Sequence, residues 1–88
     1  MISDGMDIRY SVLAVRVLRT SNKRDLIRRK IEELAANPEA LATNVRRLTG
    51  RPESRLRVQD WRVIFRIEDN VLWVDVIAPR GSAYEETR

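Results

Sequence analysis

The chain has 88 residues, 43% of them hydrophobic and 34% charged, with a formal net charge of +4 at pH 7. This length supports one domain with a single modest core. Cysteine and histidine are both absent, which excludes disulfides, thiol catalysis, metal sites built on these residues and histidine as a general base. The longest apolar run near the start, residues 12–15, is too short to span a membrane, so we expect a cytoplasmic protein. The excess positive charge favours a polyanion or an acidic protein as partner.

The first predicted elements are a short strand and two helices. Residues 1–5 form a leader with no assigned role, and residues 6–10 have the pattern of a strand. Residues 11–19 fit either a strand, because of their valines, or a helix, because of their apolar spacing; we favour the helix. Thr20, Ser21 and Asn22 supply capping oxygens for a second helix over residues 23–36. Its apolar stripe consists of Leu26, Ile27, Ile31 and Leu34.

The opposite face of the second predicted helix is strongly basic. A solvated helix face is the favoured interpretation of this pattern, and contact with RNA is the alternative. Residues 39–43 are expected to add a helical turn, and residues 49–53 form a turn-rich connector. The basic side chains are Lys23, Arg24, Arg28, Arg29 and Lys30.

Three strand-like segments, residues 54–58, 62–67 and 71–77, alternate apolar and polar side chains. Because neighbouring side chains on a strand point to opposite faces, one face is apolar and the other carries arginines. We call the second the arginine face; its predicted members are Arg55, Arg57, Arg62 and Arg66. Asp69 and Asn70 form a two-residue turn signal. Such a turn places Arg66 opposite Trp73, Ile64 opposite Asp75, and Arg62 opposite Ile77.

These elements predict a two-layer α+β domain over residues 6–85, with residues 86–88 as a tail. Its antiparallel sheet has about four strands and carries the N-terminal pair of helices on one face, in the order β-α-α-β-β-β. Trp61 shares the parity of the apolar residues and is expected in the core. A structural role is the alternative interpretation of Arg66, which could stack on Trp73 or pair with Asp75. For Arg55 and Arg57 the alternative is the solvated face of an edge strand.

Four segments together resemble the RelE/ParE superfamily of type II toxin-antitoxin toxins over residues 6–85. These are IEELAANP at the helix end, the connector RRLTG, the hairpin RLRVQDWRVIFRIED and the closing VDVIAPRGSAY. The resemblance is closer to the RelE branch, which cleaves messenger RNA in the ribosomal decoding site by attack of a 2′-hydroxyl on the adjacent phosphodiester. It implies a catalytic site formed by Arg55, Arg57, Arg62, Arg80 and Tyr84. Arg66 and Trp73, on the arginine face, are further candidates for RNA binding.

The chemistry expected of such a site is electrostatic. Attack at phosphorus builds negative charge on oxygens that planar guanidinium groups bind well. Arg62 and Arg80 would form the clamp, and Arg55 and Arg57 would hold successive phosphates or act on the 2′-hydroxyl. Tyr84 would stack on a base or polarise that hydroxyl. Arg55 and Arg57 stand where better-understood members of the family have lysines. Because arginine cannot act as a base, the proton of the 2′-hydroxyl would go to Tyr84 or Glu85.

The resemblance also implies partners. These are a cognate acidic antitoxin, bound in a hetero-oligomeric complex, and the ribosome with its messenger RNA. No cofactor and no metal is expected. Two other functions stay open: inhibition of DNA gyrase, as in ParE-like members, and an inactive homologue that only binds its antitoxin and represses the operon.

Overall fold

The computed structural model of the chain describes residues 5–80. Within that range the elements in chain order are strand β1 (Asp7–Tyr10), helix α1 (Val12–Thr20), helix α2 (Arg24–Ala36), a 3₁₀ helix (Pro38–Asn44), and strands β2 (Val45–Arg47), β3 (Ser54–Val58), β4 (Trp61–Glu68) and β5 (Val71–Pro79). The helix favoured for residues 11–19 is confirmed, and the strand alternative is wrong. None of the helices in this range has the length and apolar character needed to cross a bilayer.

Helix α1 begins at a serine that also ties it to the sheet. The Ser11 Oγ accepts a hydrogen bond from the Ala14 N–H at 3.0 Å, which satisfies one of the unpaired donors of the first turn. The same hydroxyl donates to the carbonyl oxygen of Asp75 at 2.7 Å, and the Ser11 N–H donates to that of Val74. These bonds fix where α1 starts relative to β5.

Helix α2 packs its predicted apolar stripe into the core and exposes its charged face. Ile27, Ile31 and Leu34 are almost fully buried, at the spacing of one helix face. The predicted side-chain cap is absent, since the N-cap residue is Lys23 and it has no side-chain cap. The Ser21 Oγ accepts instead from the Lys23 N–H at 3.0 Å, in the turn between the two helices. The helix ends before Pro38, which opens the 3₁₀ helix. That short helix overlaps the turn predicted over residues 39–43.

The sheet has five strands in the order β1-β5-β4-β3-β2, so the prediction of about four antiparallel strands needs two corrections. Strand β2 was not predicted; with three residues, two of them arginine, it gives little sequence signal. Strand β1 is parallel to its neighbour β5, while the other pairs are antiparallel. Both helices contribute side chains to one core with a single face of the sheet, which confirms the two-layer α+β class.

A β-bulge corrects the predicted register of the β4–β5 hairpin. The turn at Asp69 and Asn70 has positive φ at both residues, 55° and 62°, as a tight two-residue hairpin turn requires. Arg66 lies opposite Trp73 as predicted. Beyond Phe65 and Val74, Asp75 is an extra residue, so Ile64 pairs with Val76 and Arg62 with Ala78 rather than with Asp75 and Ile77.

Candidate nucleic-acid interface

The arginine face is the surface of the sheet turned away from the helices, and two rows of opposed arginines cross it. In the first row, Arg57 on β3 lies opposite Arg62 on β4. In the second, Arg46 on β2 lies opposite Arg55 on β3. We call these the turn row and the edge row, after the β3–β4 turn and the sheet edge that they adjoin. Directly opposed like charges destabilise a sheet, so an anion that enters between them relieves a repulsion.

The two arginines of the turn row differ sharply in exposure. Arg57 is exposed, and within residues 5–80 it forms no ion pair. Arg62 is only 6% exposed, and its Nη1 donates to the carbonyl oxygens of Gln59 and Trp61, both at 3.0 Å. Its Nε is buried without a partner in the described part of the chain. The Arg62 side chain therefore braces the β3–β4 turn.

Backbone hydrogen bonding brings Arg80 to the end of the sheet that holds the turn row. The Arg80 N–H donates to the carbonyl oxygen of Asp60 at 2.7 Å, and the neighbouring Pro79 lies opposite Trp61. The residue itself is exposed. The backbones of Arg57, Arg62 and Arg80, from three segments of the chain, therefore lie at the same end of the sheet. Tyr84, the fifth predicted site residue, lies outside the described residues.

Arg66 and Trp73 form a separate cluster at the other end of the hairpin, in which Arg66 is paired and the Trp73 Nε1 is buried without a partner in the described part of the chain. The Arg66 guanidinium carbon lies 5.1 Å from the Trp73 ring centroid. Its Nη1 lies 2.7 Å from the Glu68 Oε1 and its Nε 3.5 Å from the Asp75 Oδ2. Burial raises the pKa of Asp75, and the positive charge of Arg66 only partly opposes this shift. The structural interpretation of Arg66 is confirmed, and RNA binding by this pair stays a prediction.

The edge row contains a residue that the sequence analysis missed. Arg46, Arg55 and Arg57 line a cleft of about 110 Å³ together with Thr43, Asn44 and Val45. The sequence signal was the alternation of an apolar Val45 with a charged Arg46. Val45 packs towards the core, which puts Arg46 on the other face. It was overlooked because strand β2 itself was not predicted. Val45 lies opposite Leu56 and Arg46 opposite Arg55, which extends the arginine face by one strand.

A second surface lies on the helical side of the molecule. Tyr10, Val15 and Leu18 line a groove of about 430 Å³ with Arg19, Arg24 and Arg28. Helix α1 beside it exposes Val12 and Leu13, which are 71% and 62% exposed. Burial raises the pKa of Tyr10, and the positive charge of Arg28 opposes this shift. The surface combines apolar side chains with positive charge, which suits an amphipathic acidic ligand.

The chemistry available on the arginine face is that of cationic donors. Among residues 5–80, no group of three or more histidine, cysteine, aspartate or glutamate side chains is placed to hold a metal ion. Guanidinium groups bind phosphate oxygens through paired hydrogen bonds and remain charged at all physiological pH values. The face can therefore bind a nucleic-acid backbone and stabilise charge that develops on it.

Solved structures with this fold include several toxins and toxin-antitoxin complexes. The archaeal RelE–RelB complex from Pyrococcus horikoshii OT3 has a TM-score of 0.74 at 22% identity, covering 88% of this chain and 97% of that one. YafQ from E. coli has a TM-score of 0.72 at 18% identity, covering 90% and 98%. The intact E. coli RelBE toxin-antitoxin complex has a TM-score of 0.64 at 21% identity, covering 84% and 95%. The fold is therefore that of RelE-like toxins.

The sequence itself defines the family. Residues 8–84 match the pattern of the family described as ParE toxin of type II toxin-antitoxin system, parDE, and no curated protein sequence matches significantly. The chain belongs to this family and is a toxin of a type II toxin-antitoxin system. Its predicted membership of the RelE/ParE superfamily is confirmed.

Proposed function

We propose that the toxin acts by cleaving messenger RNA in the decoding site of the ribosome and thereby inhibits translation. The observation that carries this proposal is the pair of opposed arginine rows on the exposed face of the sheet. Two pairs of like charges that face each other across neighbouring strands are unfavourable for the sheet. They suit a ligand with successive negative charges, such as an RNA backbone.

In this reaction the 2′-oxygen of one nucleotide attacks the adjacent phosphorus, the bond to the 5′-oxygen breaks, and a 2′,3′-cyclic phosphate and a 5′-hydroxyl form. Arg57 and Arg80 bind the non-bridging oxygens as their charge increases. Arg62 holds the turn beneath them and adds positive potential from its buried site. Tyr84 or Glu85 accepts the proton of the 2′-hydroxyl, water supplies the proton that the departing 5′-oxygen takes up, and Arg55 binds the strand beside the reacting phosphate.

The site supports dependence on the ribosome because it offers charge but little means of orienting a substrate. The arginine face has no histidine, and the cleft along it has a volume of only about 110 Å³. Correct alignment of the reacting atoms contributes several kcal/mol, on the order of 7 to 11, to an accelerated reaction. We propose that the ribosome supplies this alignment by holding the messenger RNA in one conformation.

The first prediction tests this function directly. When the chain is induced in bacteria without its antitoxin, growth stops and messenger RNA acquires new 5′ ends inside translated codons. The measurement is mapping of 5′ ends in induced and uninduced cells, with a translation inhibitor added to one culture as control. Cuts that persist at untranslated sites would contradict the dependence on the ribosome.

Inhibition of DNA gyrase is a second candidate, favoured by the family description, which names ParE. It requires a protein contact and no nuclease site. Growth arrest with intact messenger RNA and inhibited gyrase supercoiling would support it over RNA cleavage. Absence of any arrest, with antitoxin binding retained, would instead identify an inactive homologue that represses its operon.

We further propose that the antitoxin docks on the groove between α1 and α2. The exposed Val12 and Leu13 supply an apolar contact, and Arg19, Arg24 and Arg28 supply positive charge beside it. An acidic amphipathic segment satisfies both features at once. Binding there leaves the arginine face to be covered by another part of the same antitoxin.

The second prediction concerns this groove. Leu13→Asp is expected to lower affinity for the antitoxin by about 10-fold or more, because it removes an apolar contact and repels an acidic ligand. Its effect on stability is expected to be within about 0.5 kcal/mol, because the side chain is exposed and an acid in the first turn of α1 is favourable. Titration calorimetry with the purified antitoxin measures the affinity.

Ala40→Asp provides the matched control for Leu13→Asp. It adds the same charge at an exposed position of the 3₁₀ helix, outside the groove. Equal affinities of the two variants for the antitoxin would contradict the proposed contact with the exposed apolar side of α1 beside the groove.

A further inference from the structure

The two arginine rows have different surroundings, which suggests different tasks. The turn row adjoins the β3–β4 turn, where the backbone of Arg80 is bound. The edge row lies beside the end of the 3₁₀ helix, where Thr43 and Asn44 contribute neutral polar groups to the cleft that Arg46 and Arg55 line together with Arg57 of the turn row. No acidic residue of the described chain lines that cleft. Within residues 5–80, Arg46 forms no ion pair.

The spacing of the rows matches a nucleotide strand. Arg55 and Arg57 lie two residues apart on one face of β3, which separates the rows by about 6.7 Å along the strand. Consecutive phosphates of an extended single strand have a similar separation. A strand that places one phosphate at the turn row therefore brings the next phosphate to the edge row.

We propose that Arg46, Arg55 and Asn44 form a phosphate-binding subsite for the nucleotide next to the cleaved bond. This inference rests on the proposed function and divides the predicted catalytic pair between two sites. Arg57 serves the reacting phosphate, whereas Arg55 joins Arg46 at the neighbouring one. The subsite fixes the register of the RNA on the sheet and reads no base, as is general for backbone contacts.

The chain offers a matched pair of variants for testing the subsite. Arg46→Gln and Arg47→Gln each remove one positive charge from the same three-residue strand, and both side chains are exposed. Arg47 lies opposite Ser54, on the other parity of β2, and is therefore outside the arginine face. Any general effect of lower net charge is common to both variants, so a difference between them reports the contact itself.

The third prediction is a change in salt dependence. We would measure binding of the full chain to a single-stranded RNA oligonucleotide, made uncleavable by 2′-O-methylation, by fluorescence anisotropy at several sodium chloride concentrations. Each phosphate contact contributes about 0.7 to the slope of log affinity against log salt for a single strand. Arg46→Gln is expected to lose about 0.7 of this slope and several-fold in affinity, whereas Arg47→Gln retains the wild-type slope.

A neutral methylphosphonate, introduced at one phosphate at a time, locates the contact. At the subsite phosphate, the methylphosphonate is expected to weaken RNA binding by the wild-type chain. At the same position it should not weaken binding by the Arg46→Gln variant any further, because both changes remove the same interaction. The proposed subsite is rejected if the effects of the methylphosphonate and of Arg46→Gln add at every position. It is also rejected if Arg46→Gln and Arg47→Gln have equal salt slopes. Lack of RNA binding by the wild-type chain at low salt would also overturn it.

The fate of the proposed function is decided separately, by mapping of messenger RNA ends in cells. Codon-internal cuts by the wild type, together with equal salt slopes of the two variants, would reject the subsite and leave the nuclease in place. If Arg46→Gln weakens binding of the antitoxin and leaves RNA binding unchanged, the cleft is an antitoxin contact and the subsite is rejected.

Discussion

Arg57→Gln is expected to lower the rate of messenger RNA cleavage by about two to three orders of magnitude, the typical loss when one donor to a transition-state oxyanion is removed. The side chain is exposed, lies outside the hydrophobic core, and opposes another arginine. Its replacement by a neutral residue relieves that repulsion, so the folded state should be at least as stable as the wild type. Loss of growth arrest would then report chemistry rather than unfolding.

Arg47→Gln is the control for charge, since it lies on an exposed strand and outside the arginine face. Cleavage of translated messenger RNA, growth arrest and thermal stability are measured for both variants. We expect Arg47→Gln to match the wild type in all three. Cleavage by Arg57→Gln at the wild-type rate would remove the turn row from the mechanism.

Arg62 is a poor residue for the same test, although the resemblance assigns it to the site. Its guanidinium binds two carbonyl oxygens and is almost fully buried. Truncation to alanine would leave those oxygens with fewer donors and would cost about 1–3 kcal/mol. A loss of toxicity in Arg62→Ala would therefore combine instability with lost catalysis.

Alternation of side chains was enough to predict the central hairpin and its faces. Phe65 lies in the core and Arg57 on the opposite surface, as two-residue periodicity requires. The register failed beyond Phe65 because a bulge inserts Asp75, whose carbonyl oxygen accepts a hydrogen bond from the distant Ser11. No pattern in the residues around Asp75 predicts that hydrogen bond.

The parts of the site that could not be predicted from the sequence were missed for a similar reason. Strand β2 is too short to show periodicity, so Arg46 could be placed only once its pairing with Arg55 was known. The burial of Arg62 follows from the shape of the β3–β4 turn, where Gln59 adopts a positive φ of 54°. Parallel pairing of β1 with β5 joins the two ends of the described chain, and sequence spacing carries no information about it.

Phe65→Ala is expected to produce the largest loss of stability, about 3–5 kcal/mol. The side chain is 3% exposed and packs in the core that both helices share with the sheet. A domain of this length has a total stability of about 5–15 kcal/mol, so the variant should melt well over 10 °C below the wild type. Urea unfolding followed by circular dichroism gives the free energy.

Ile67→Ala is the matched control because it shortens an apolar side chain on the same strand and the same parity. Ile67 is 48% exposed, so its replacement should cost only about 0.5 kcal/mol. The two free energies of unfolding together test the depth of the core along β4, from the centre of the sheet to the Asp69 turn. Similar losses for both variants would mean that Phe65 is not held in a close-packed core, and the assignment of faces on which both arginine rows depend would fail with it.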